Sequence, residues 1–176
     1  MSTTDPVQKA FEDAQEAFRK KLKDERLYEQ ILTTKKVTDV YEATAKLQET
    51  ILGKGRLRYL GKIGRFLEKL SSYVSVIEIF IQVKPDMLAL IWGPIKLLLQ
   101  WSSELNSALD QVTNVMERIG QVLPQFTVLV RTFEDSDALR TALALFYEDI
   151  LDFYRITLDF FRKTRGYTPV GVRAMS

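Results

Sequence analysis

The sequence contains neither histidine nor cysteine. Their absence removes imidazole general bases, Ser-His-Asp and Cys-His catalysis, zinc sites built from Cys and His, and a disulfide framework of the secreted type. Glycine and proline are scarce, 8 and 5 in 176 residues, so chain-breaking signals are few. Strictly alternating β-branched runs are missing, which leaves no strand pattern to set against helical periodicity. Excess charge is missing too: 25 basic against 23 acidic side chains give +2, too near neutral to mark nucleic acid or an anionic membrane as a global partner. The longest uncharged stretches are Met87 to Ile95 and Ile119 to Val130, well short of the ~18 apolar residues of a spanning helix. With no secretory apolar segment near Met1, the reading is a cytoplasmic protein, recruited to a membrane only on activation if at all.

What is present is the composition of one globular domain, 46% hydrophobic and 27% charged, large enough to form a core without disulfide or metal. The first helix is expected to open at Asp5-Pro6, an acidic cap followed by a proline whose missing N–H costs nothing there. Val7, Phe11, Ala14, Phe18 and Leu22 follow at spacings of four and three, one apolar stripe on a charged rod. A second helix is expected from about Thr38 to Leu52, stopped by Gly53-Lys54-Gly55. The third runs from about Lys62 to Val83 and is ended by Pro85. From Asp86 to Trp101 the chain is apolar nearly all round, the pattern of a helix inside a bundle, with a kink or break expected at Gly93-Pro94. Helical spacing continues through Val112 and Met116, with a second kink at Pro124. After a turn at Glu134-Asp135-Ser136, Ser136 caps a last helix with a seven-residue seam through Leu139, Leu143, Phe146, Ile150, Phe153, Thr157 and Phe160. Residues 165–176 read as a tail or linker. The expectation is therefore one all-α domain over residues 1–164, a bundle of four to five long helices around a central, nearly all-apolar one with proline kinks.

Three constellations carry chemical interest. The stretch from Gly53 to Arg65 holds Lys54, Arg56, Arg58, Lys62 and Arg65 with four glycines and no acid. Glycines let backbone amides approach a phosphate while the cations supply charge, yet the spacing of a Walker A loop is absent and Gly61-Lys62-Ile63-Gly64 lacks the strands of a KH fold. A solvated connector fits, and so does a basic face for a lipid headgroup, nucleic acid or an acidic partner surface. Glu148, Asp149 and Asp152 form an acidic face on the last helix, where Glu148 and Asp152 lie one turn apart. Such a pair can share a proton or hold a hard cation, or simply pair with Arg155 or a neighbour's basic loop. The aromatic row Phe146, Tyr147, Phe153, Tyr154, Phe160 and Phe161 reads first as core packing. A row too wide for one core leaves apolar surface, which implies a partner. No metal, cofactor or catalytic set is indicated.

Three segments together carry a family resemblance. Pro85-Asp-Met-Leu-Ala-Leu-Ile-Trp92-Gly93-Pro94-Ile-Lys-Leu-Leu-Leu-Gln100 is similar to the P-x-x-x-A-L-x-W-G-x-I-x-x-L-L-Q stretch of the helical domain at the N-terminus of fungal STAND (NLR-like) proteins. Leu123-Pro124-Gln125-Phe126 resembles that family's L-P-R-F segment, with Gln125 departing from it. Leu139 to Phe153 resembles its L-x-x-A-L-x-x-x-Y-x-D-I-L-x-F helix, and the layout is similar to the related Goodbye-type domains. The resemblance implies a non-enzymatic effector or signalling domain in fungal non-self recognition and regulated cell death. In that family it precedes a nucleotide-binding NACHT or NB-ARC module, and its partners are further copies or adaptor proteins. Residues 53–69 carry six basic side chains against Glu68, and 104–159 carry ten acidic against four basic, so salt-dependent clustering is the expected mechanism. The alternative is a membrane-permeabilising bundle that meets anionic lipid through its first helix and the basic loop. Nucleic acid is not expected as a partner.

Overall fold

The computed structural model describes residues 5–51, 57–102, 106–133 and 135–164. Among these, seven helices and no strand occur: α1 (Pro6–Leu22), α2 (Glu25–Leu32), α3 (Val37–Ile51), α4 (Leu57–Phe80), α5 (Pro85–Ser102), α6 (Asn106–Thr132) and α7 (Asp137–Thr164). The all-α expectation holds, and the count of four to five is corrected to seven.

Side-chain caps set several starts. Asp5 accepts from the amide of Val7 at 2.9 Å, Asp24 from Leu27 at 2.9 Å and Ser136 from Leu139 at 3.3 Å, each satisfying a donor that the first turn leaves unpaired. Lys23 takes the left-handed conformation, φ 54°, which ends α1 and lets the chain turn at once into α2. That short helix escapes sequence reading because its stripe, Leu27, Tyr28, Ile31 and Leu32, spans barely one and a half turns. α4 begins at Leu57, so the basic stretch is helical from there on rather than a connector. Both prolines expected to kink or break a helix, Pro94 and Pro124, lie inside helices that run on through them.

α5 occupies the middle, packed against α2, α3, α6 and α7, while α1 pairs with α7 and α4 with α6. Trp92 is 4% exposed and sits among the buried residues of α5, from Met87 to Leu99, that form the centre of the core. The backbones of α5 and α2 come close at Gly93, where an added Cβ would lie 2.4 Å from the carbonyl oxygen of Ile31 in α2. Arg140 ties three chain segments together, meeting the Asp5 carboxylate and donating to the carbonyl of Phe80 at 3.3 Å.

Three tyrosines lie fully inside this packing. Tyr73 donates to the carbonyl of Leu143 at 2.6 Å and Tyr147 to that of Met87 at 3.4 Å, whereas Tyr154 has no hydrogen-bond partner among the described residues. Burial pushes all three hydroxyls far above the usual tyrosine range. The neutral phenol is thus favoured in the folded state, so the stability it contributes is complete below about pH 10 and is lost as pH rises past the unfolded value. In an alkaline titration the phenolate absorbance of these three is expected to appear together with loss of helix. Smooth titration of all tyrosines while the helical signal persists would show that they are not buried.

Candidate functional site

The chemistry-bearing residues singled out above are largely engaged inside the chain. Lys54 and Arg56 lie outside the described residues, and Arg58 falls in the first turn of α4. Lys62 reaches across to α6, where its ammonium is 3.3 Å from Glu117 and donates to Asn114 at 3.2 Å. Arg65 is exposed one turn on. On α7, Asp152 meets Lys21 of α1 at 3.1 Å and Arg155 at 3.6 Å, so it serves in packing α1 on α7. Glu148 and Asp149 remain exposed. Among the described residues no group of three or more carboxylates gathers as a metal would require. Lys62 and Asp152 of the two charged faces are therefore already engaged within the chain, by α6 and by α1 and α7.

The residues of the family-like stretch separate by depth. Trp92, Gly93 and Pro94 are buried at the α2–α5 contact, whereas Gln100 and Pro124 are exposed. The apolar stripe of α1 is also closed off: Phe11, Ala14, Phe18 and Leu22 are buried, and Phe11 lies ring to ring with Tyr147 at 5.0 Å. Among the described residues no helix is long and apolar enough to cross a membrane.

α7 carries two adjacent apolar rows, and the packing chooses between them. Leu143, Tyr147, Ile150, Tyr154, Leu158 and Phe161 form the buried face. Of the expected seam, Leu139, Leu143, Ile150 and Thr157 are buried with that face, whereas Phe146 and Phe153 at its edge are half-buried and Phe160 is exposed. That flank turns toward α6. The ring of Phe126 of α6 lies tilted against that of Phe146 at 5.0 Å, and further along Val112 and Val115 share a cavity of about 300 Å³ with Phe153, Ile156 and Phe160. Rising numbers on one helix therefore meet falling numbers on the other, an antiparallel pair.

An apolar strip runs along the outer side of this pair. Val115, Val122 and Leu129 recur every seven residues on α6, and Leu145, Ile156 and Phe160 occupy the matching face of α7. Val122, Leu129, Leu145, Ile156 and Phe160 are between 39% and 59% exposed. Single exposed aliphatics are ordinary, but large ones aligned along adjoining helix faces, with Val115, Ile156 and Phe160 lining the groove between them, are the mark of a contact surface. Charges of both signs interrupt the strip, Arg118 between Val115 and Val122 and Asp149 between Leu145 and Ile156. Arg118 on α6 and Asp149 on α7 are exposed and form no ion pair among the described residues.

The strip was not assigned from sequence. The signal was available in the over-wide aromatic row of α7 and the seven-residue repeat on α6, but which row faces outward depends on packing. No curated protein and no solved structure matches the chain. Residues 62–170, which hold α5, α6 and α7 with most of α4, match the family described as Domain of unknown function (DUF7708), and the chain belongs to that family.

Proposed function

We propose that this protein is a non-enzymatic effector and protein-interaction domain of the kind found at the N-terminus of fungal STAND (NLR-like) receptors, acting in non-self recognition or regulated cell death by clustering. The observation that carries this reading is the apolar strip on the outer side of α6 and α7, a surface with a partner's chemistry rather than a substrate's. The resemblance of Pro85 to Gln100, Leu123 to Phe126 and Leu139 to Phe153 to that family's segments supports the biological setting, and these segments lie within the matched region.

Clustering in this reading rests on apolar contact, with charge setting the approach. Lys62 and Asp152 already have partners in their own chain, so head-to-tail attraction between the basic and acidic faces is weaker than the sequence count implies. Exposed pairs of this sort are worth little and are screened by salt. Sedimentation of the whole chain across rising concentration tests the reading. Growth of dimers or larger species that survives raised salt is expected. A chain that stays monomeric at the highest attainable concentration contradicts it.

A further inference from the structure

Resting on that reading, we infer that the α6–α7 strip is the surface through which two copies of this chain meet, with α6 of each copy lying across α7 of the other. The strip faces solvent on both helices and is long. From Gln111 to Phe133 the 1.5 Å rise per residue gives about 33 Å, and two helix diameters of about 10 Å set the width, so each copy offers roughly 650 Å². That approaches the ~800 Å² per partner of a stable protein contact.

Charge selects the arrangement. If α7 stacked on α7, Asp149 of one copy would come to lie among the acids of the other, since Glu148, Asp149 and Asp152 crowd that part of the helix. Stacking α6 on α7 instead places Arg118 over the exposed Asp149. The register supports this. Phe126 lies beside Phe146, and Val112 and Val115 lie beside Phe153, Ile156 and Phe160, so Arg118 sits at the level of residues near 152 and Asp149 is within one turn of it. A two-fold axis parallel to the groove between the helices keeps that level for both copies and forms the pair twice. Val122 and Leu129 of one copy then cover Leu145 of the other, and Val115 covers Ile156.

Substitution in the whole chain provides the test, because Arg118, Asp149 and Ile156 are exposed. In sedimentation, Ile156→Asp is expected to weaken association at least about tenfold, and Arg118→Asp and Asp149→Arg each several-fold. The combined Arg118→Asp, Asp149→Arg chain should regain the native value. If the native chain associates but none of these substitutions changes it, the strip is not the interface, while the clustering reading stands. If the single reversals weaken association and the combination does not restore it, the α6-over-α7 pairing is wrong. If the native chain stays monomeric, both the interface and the reading on which it rests are overturned. Circular dichroism of each variant should match that of the native chain.

Discussion

Replacing Asp24 with alanine is expected to cost about 3 kcal/mol, which in a domain of this length lowers the melting temperature by roughly 6–12 °C. Two roles converge on one carboxylate. One oxygen accepts from the amide of Leu27 at 2.9 Å and starts α2; the other accepts from the guanidinium of Arg162 in α7, also at 2.9 Å. The side chains are only 8% and 12% exposed. Truncation thus removes a cap worth about 1 kcal/mol and leaves the nearly buried charge of Arg162 with one of its two carboxylates, Asp159. Asp24→Asn separates the two, since it keeps an oxygen for the cap and loses the charge. It should fall between the native protein and Asp24→Ala in thermal or denaturant unfolding. If both substitutions are neutral, Asp24 does not join α2 to α7 in this way.

The second large effect is expected at Gly93. A methyl group there would sit 2.4 Å from the carbonyl oxygen of Ile31 and 2.8 Å from its Cγ2, so α2 and α5 must move apart around the centre of the core. Overpacking of this kind costs about 1–3 kcal/mol and more where backbone must shift. The better helix propensity of alanine returns at most about 1 kcal/mol. A net loss of about 2 kcal/mol is expected for Gly93→Ala. Gly64 in α4 is the internal control, because nothing lies within 4 Å of a Cβ added there. Gly64→Ala is expected to raise stability by up to about 1 kcal/mol. The two substitutions are the same chemical change in helices and should move the unfolding midpoint in opposite directions. Equal shifts would contradict the close approach of α2 to α5.

These two sites also show what can be read from residues in a row. α1 was legible to the residue, because a capping acid, a first-turn proline and a stripe of five apolar positions all point the same way. α5 was legible because it is apolar nearly all round, and only a central position buries such a helix. α2 was missed although Leu27, Tyr28, Ile31 and Leu32 recur at helical spacing, because eight residues are too short a run to stand as a helix alone, and the importance of Asp24 and Gly93 stays hidden until α2 is in place. The basic stretch misled for a similar reason. Counting Lys54 to Arg65 ignores Glu117, 55 residues beyond Lys62 in the chain and 3.3 Å from it in space.

The candidate interface was half legible. Two apolar rows run side by side on α7, one through Phe146, Phe153 and Phe160, the other one residue further along through Tyr147, Tyr154 and Phe161. Spacing is identical in both, so periodicity cannot rank them. α1 and α5 pack against α7 and bury the second row, which leaves the first to line the groove beside α6. What sequence could indicate was that the apolar surface is wider than one core needs.

The most direct test uses the absence of cysteine from the chain. An Arg118→Cys protein mixed with an Asp149→Cys protein can form a disulfide only between introduced residues. If α6 of one copy lies across α7 of the other, mild oxidation of the mixture gives mostly crosslinks joining the two different proteins. The same treatment of either protein alone gives few. No crosslinked dimer, or dimers dominated by identical proteins joined to each other, would contradict the account.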